Sequence, residues 1–187
     1  MTIYISLLRG INVGGQKKVP MADLRALYET LGLGGVTSYI QSGNVIFESG
    51  EAKEAALVLR LEGAIEDRFG FAVPVILRTV DAWRAIARRH PLQAHADPAH
   101  LHVTCLPRWP SASAVQSLEA RETGGDRFTL DGREIYLHCP DGYARSRLTN
   151  TVLEKTLGMT ATTRNWRTVG KLLELGGEAV ATVKRPE

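Results

Sequence analysis

The sequence predicts an α+β protein made of two β-α-β-β-α-β units in tandem, followed by a C-terminal helix. Three observations predict it. Short β-rich runs alternate with amphipathic segments in the same order twice. In each half the two middle strands flank a glycine-bearing turn. The 187 residues suffice for two small domains of roughly 90 residues each.

The first run, "TIYISLL", alternates and is rich in β-formers, and it leads into the loop "RGINVGGQKKVP". Pro20 suits the first turn of a helix in which Met21, Leu24, Leu27, Tyr28 and Leu31 recur at helical spacing until Gly32. "VTSYI" and "NVIF" flank "QSG", a hairpin whose Gly43 takes positive φ without a steric penalty. A helix from about Ala52 to Phe69 ends at Gly70, and "FAVPVILR" supplies the fourth strand. A short helix, "VDAWRAIARR", and the loop "HPLQAHADPAH" follow.

The pattern then begins again. Strand "LHVTCL", helix "SASAVQSLEA", strands "RFTL" and "EIYLH" joined by a turn at Asp131-Gly132, a helix from Ser146 to Leu157 and the extended "TATT" repeat the order. A last helix takes Asn165 as N-cap and carries Trp166, Val169 and Leu173 on one face. The duplicated order is that of two ferredoxin-like (α-β plait) subdomains. The expected division is 1–80, a helix and linker over 81–99, and 100–187 with the last helix. In such a unit two helices cover one sheet face, and Tyr4 and Tyr136 stand on half-apolar faces that are either covered or free to stack a ligand.

Hydrophobic content of 44% and charged content of 23% are ordinary globular values. Apolar runs such as "FAVPVIL" fall far short of the ~20 residues a membrane helix needs, and the start lacks a signal-peptide layout. A cytoplasmic protein with no membrane partner is expected. Cys105 and Cys139 lie in strand-like runs and read as buried thiols. Five histidines include His95, His100 and His102, but none stands at a recognisable ligand spacing, so no metal and no cofactor are expected.

The net charge of +3 is unevenly placed. Residues 1–25 hold Arg9, Lys17, Lys18 and Arg25 against Asp23. Residues 141–174 hold Arg145, Arg147, Lys155, Arg164, Arg167 and Lys171 against Asp141, Glu154 and Glu174. Each segment carries a surplus of three positive charges, and everything between and beyond them is net acidic.

Four polar clusters emerge. Gly10 and Gly15 fit the G-x-x-x-x-G part of a phosphate-binding loop, but Gln16-Lys17-Lys18 puts the lysine one place late and supplies no hydroxyl for Mg²⁺. The segment still offers Arg9, Asn12, the amides of Gly14 and Gly15, and Lys17 to an anion. The turn presents Gln41, Ser42 and Asn44. A helix start gathers Arg145, Ser146, Thr149 and Asn150, and another gathers Arg164 and Asn165 with Lys171 beyond. Strand one matches half of an RNA-recognition motif, without its aromatic-rich partner.

"LLRGINVGG", "VPM", "YIQSGNV", "SRLTN" and "TTRNWRTV", in this order, resemble the bacterial family called domain of unknown function 1697, over about Ile3 to Leu173. The chain departs from the family's usual pattern at Arg147 and Arg167, where lysine and asparagine are commoner. The resemblance implies two ferredoxin-like subdomains and no particular activity. The leading expectation is an anionic small molecule or nucleic-acid phosphate bound between the domains by the four clusters. The alternatives are an enzyme acting on a phosphorylated or carboxylated metabolite, with Asp141 or His138 as base, and a module that forms a homodimer.

Overall fold

The computed structural model describes residues 1–88, 90–92 and 96–183. It has two four-stranded antiparallel sheets, each with helices on one face, and a long final helix. By internal contacts it divides into a unit of Met1–Ala85 with the chain from Lys171 onward, and a unit of Ile86–Gly170. The boundaries fall inside two helices, α3 (Val80–Arg88) and α6 (Trp166–Val183).

In the first unit β1 (Thr2–Leu8), α1 (Met21–Thr30), β2 (Gly34–Tyr39), β3 (Asn44–Ser49), α2 (Glu54–Phe69) and β4 (Val75–Thr79) form a sheet of order β2-β3-β1-β4. Tyr4 pairs with Phe47, Ser6 with Val45 and Leu77, and Leu8 with Val75. Directly paired residues share a face, so this row looks one way. It meets Met21, Leu24 and Tyr28 of α1 and Leu57, Leu61 and Ile65 of α2, all buried at helical spacing. Burying each such Leu or Ile stabilises the fold by about 1.5–3 kcal/mol.

Tyr4 therefore belongs to the helix-side core. It is 3% exposed, its ring stacks on Phe47 with centroids 5.8 Å apart, and its hydroxyl donates to the Glu51 carbonyl. The opposite face, with Ile3, Ile5, Leu7, Ile46, Ile76 and Arg78, is buried as well. Neither face of this sheet offers an exposed aromatic platform at Tyr4.

In the second unit β5 (Leu101–Cys105), α4 (Ala112–Glu119), β6 (Arg127–Asp131), β7 (Glu134–His138), α5 (Asn150–Leu157) and β8 (Thr162–Asn165) repeat the arrangement as β6-β7-β5-β8. Ile135 and Leu137 of β7 join Leu118, Leu153 and Leu157 in the helix-side core. Tyr136 points the other way and is 3% exposed, edge-on to His90 at 5.3 Å. It, too, is no stacking platform. Cys105 and Cys139 are buried thiols, as expected, and burial pushes Cys139 up to about 11.

Three local expectations shift. The β6–β7 turn is Gly132-Arg133, one residue later than Asp131-Gly132, because Asp131 still pairs with Glu134 and only Gly132 has positive φ, the II′ pattern. The helix expected from Ser146 begins at Asn150, after a short 3-10 turn over Tyr143–Arg145. The last strand is Thr162–Asn165 rather than "TATT", and Asn165 Oδ1 still caps α6 by accepting from Thr168 N at 2.8 Å. Along α6 the buried positions are Thr168, Val169, Leu172 and Gly176, while Trp166 and Leu173 are half-buried.

Candidate functional site

The loop after β1 is a small hairpin in its own right. Val13 and Gln16 form a β-bridge around Gly14 and Gly15, whose φ values of 60° and 75° match the two central residues of a type I′ turn. Asn12 fixes its base. The Asn12 side chain accepts from Val19 N at 2.9 Å and donates to Val19 O at 2.9 Å, and Asn12 N donates to Lys17 O. The side-chain nitrogen, Asn12 Nδ2, also donates to Gln41 O at 2.9 Å, which ties this loop to the one between β2 and β3.

That second loop runs Ile40-Gln41-Ser42-Gly43. A Cβ on Gly43 would lie 2.6 Å from Leu8 Cβ and 2.8 Å from Ile11 Cδ1, and its carbonyl accepts from Leu8 N. Glycine is thus required there by close approach as well as by its φ of 75°. Asn44 is fully buried and donates to Tyr39 O and to Ser42 Oγ. Among the described residues, the three non-glycine positions with left-handed φ are Asn12, Lys17 and Ile40, all in these two joined loops.

The structure gives many of the expected site residues bonds within the chain. Lys17 Nζ donates to Ala72 O at 2.7 Å and sits 5.9 Å from the Phe71 ring centre, so its ammonium clamps the loop onto the turn before β4. Arg9 is half-buried, and its backbone N donates to Pro74 O. Gly14, Gly15, Gln41 and Lys18 are exposed. Lys171 pairs with Glu174 at 2.7 Å, and that hydrogen bond raises its pKa.

In the second unit the segment around Ser146 already receives an anion, the carboxylate of Asp126. Asp126 Oδ2 accepts from Ser146 Oγ at 2.9 Å and from Arg147 N at 2.7 Å, while Ser146 Oγ accepts from Leu148 N. Thr149 stands at the N-cap of α5 without a side-chain cap bond. Asn150 closes a ring: its N donates to Tyr143 Oη, which donates to Thr163 Oγ1, which donates to Asn150 Oδ1. Thr163 has one proton and two lone pairs, so Thr104 Oγ1, 2.7 Å away, donates to it. His102 stacks on Tyr143, with centroids 5.0 Å apart.

Arg164 is buried in β8 and donates to Thr162 Oγ1 at 2.8 Å and Thr163 O at 3.0 Å; Arg145 is exposed. Asp141 is exposed and His138 half-buried. No group of three or more His, Cys, Asp or Glu side chains among the described residues is arranged to hold a metal ion, and His95 lies outside them. No described helix is long and apolar enough to cross a membrane. Sequence reasoning missed Arg78, buried in β4 at the position that Arg164 occupies in β8: Arg78 pairs with Ile5 of β1, and Arg164 with Val103 of β5. It also missed the exposure of Trp109.

Comparison with known proteins relates this chain to a solved structure and to a family. A solved structure titled "The structure of conserved bacterial protein SP0830 from Streptococcus pneumoniae" is similar, with 28% identity and a TM-score of 0.75, over 94% of this chain and 98% of that one. No curated protein matches. The family described as Protein of unknown function (DUF1697) matches residues 1–136, a stretch that contains the glycine hairpin, the Gln41–Asn44 loop, β5 and β6, and that ends within β7. With most of its length matched in this way, the chain belongs to the DUF1697 family.

Proposed function

We propose that the joined loops of the first unit bind an anionic ligand, the phosphate of a nucleotide or nucleic acid being the best fit. One observation carries the reading: all three non-glycine left-handed residues among those described lie there, in a conformation that Asn12 builds from within. Such backbone positions cost about 1–3 kcal/mol each and persist where surrounding structure over-determines them, commonly at ligand sites. The strained frame presents the exposed Gly14-Gly15 turn, Gln41 and Lys18, with Arg9 at its base. Backbone amides at a glycine turn, flanked by cations, are suited to phosphate oxygens.

Titration of the protein with a phosphate-bearing ligand panel at several salt concentrations tests this. Arg9→Ala and Lys18→Ala are each expected to weaken binding several-fold, and each lost phosphate contact to flatten the log–log salt slope by about 1. Affinity that ignores salt and both substitutions removes the reading.

A further inference from the structure

Trp109 carries an inference that the hairpin reading does not contain. The sheet faces bury Tyr4 and Tyr136, yet Trp109 is 74% exposed. The backbone leading to it is tied down. Pro107 and Pro110 bracket it in sequence, Arg133 Nη1 donates to Pro107 O at 3.2 Å, and Leu106 N donates to Arg133 O at 2.8 Å. The indole lies against the β6–β7 turn, where a Cβ on Gly132 would sit 3.5 Å from Trp109 Cζ2. The turn gives the ring a floor, Glu134 Oε2 lies 3.8 Å from the same Cβ position, and most of the ring's surface remains in water.

Arg108, next in the chain, is exposed and has no ion pair or hydrogen bond within the described protein, whereas the nearby Arg133 is engaged with Pro107. A solvent-facing aromatic ring, with an unengaged guanidinium on the adjacent residue, suits a planar base attached to a phosphate. The surroundings separate this from a protein-docking hot spot, which sits in a well-packed pocket whose neighbours exclude water. The other large exposed apolar residues, Met1, Val13, Ile40 and Leu59, all belong to the first unit, so Trp109 stands alone among those described in the second. A free nucleotide on so open a ring would keep most of its surface hydrated. A single strand instead gains from repeated modest contacts.

We propose that Trp109, with Arg108, is a base-stacking contact for single-stranded nucleic acid. Tryptophan fluorescence reads it directly, because Trp83 is fully buried and Trp166 is half-buried edge-on to His90, leaving Trp109 as the solvent-facing indole. The full-length protein is titrated at low salt with a thymidine oligonucleotide of about 12 residues. Parallel titrations use the same sequence as a duplex, heparin as a polyanion without bases, and thymidine monophosphate.

The single strand is expected to quench emission, and the other three to leave it unchanged over the same range. Read by fluorescence anisotropy of the end-labelled strand, Trp109→Ala should weaken binding about tenfold and Trp109→Phe less, with the far-ultraviolet circular dichroism of both variants unchanged. Absence of quenching by the strand, equal binding by Trp109→Ala, or equal quenching by heparin or the duplex overturns the proposal. Equal affinity for the monophosphate overturns its assignment to a strand. Arg9→Ala and Lys18→Ala leave this signal intact if only the hairpin reading fails, so the two proposals fail separately.

Discussion

Ile40 is a β-branched residue held at φ 50° with half of its surface in water. In that conformation Cβ crowds the following carbonyl, a cost of roughly 1–2 kcal/mol that asparagine largely escapes. Ile40→Asn is therefore expected to raise stability by about 1 kcal/mol, read as a higher urea midpoint at unchanged slope. A lower midpoint would mean that the exposed isoleucine packs better than its accessibility suggests. Gly43 was legible from sequence because a turn needs positive φ, but its closeness to Leu8 and Ile11 was not. Trp109 was illegible altogether, since a tryptophan between prolines reads equally well as buried or exposed until the neighbouring turn is in place.

At the scale of elements, the start of α5 shows how a distant residue overrides a local signal. Ser146 has the chemistry of an N-cap, yet its hydroxyl is taken by Asp126, twenty positions earlier, and by Leu148 N. The helix consequently waits until Asn150, whose side chain and amide join the ring with Tyr143 and Thr163. Asp126→Ala is expected to destabilise the protein by about 2 kcal/mol, since it strips a charged acceptor from two donors, one on the buried Ser146. Asp126→Asn keeps one acceptor oxygen and should cost less. Equal urea midpoints for wild type and Asp126→Ala would show that water substitutes fully for the carboxylate. The same pairing explains why the anion site read into "ARSRLTN" was only half visible: the donors are local, and the acceptor that meets them is not.

At the scale of the molecule, acid should bear on the second unit first. His90 and His102 both lie there, and burial lowers the pKa of each, with His138 and His102 opposing a charge on His90 and His100 opposing one on His102. His90 Nδ1 accepts from Leu92 N while Nε2 faces the His102 carbonyl, the pattern of a neutral ring. A lowered folded pKa means that the unfolded chain binds more protons below its own value near 6.5. The stabilising contribution of these rings is complete above about pH 6.5 and declines as pH falls through the window down to the folded values. Urea midpoints measured from pH 8 to 5 should drop below about 6.5. His90→Gln and His102→Gln should each flatten that drop. A pH-independent midpoint in the wild type would contradict the burial argument.

What the sequence by itself determined is the duplicated order of elements, both sheets' strand composition and the polar loop ends, because periodicity, turn residues and helix stops act over a few residues and are written there. What only the tertiary structure decided is which face of each strand meets the helices and which polar groups satisfy one another. Alternation in "TIYISLL" separates Tyr4, Ser6 and Leu8 from Ile3, Ile5 and Leu7, but both rows are apolar enough for a core. Only pairing with Phe47, Val45 and Leu77 turns the tyrosine row toward α1 and α2. The donors and acceptors of Asn12, Lys17 and Ser146 likewise find partners set by the folded chain, and for the buried Ser146 burial obliges it to do so.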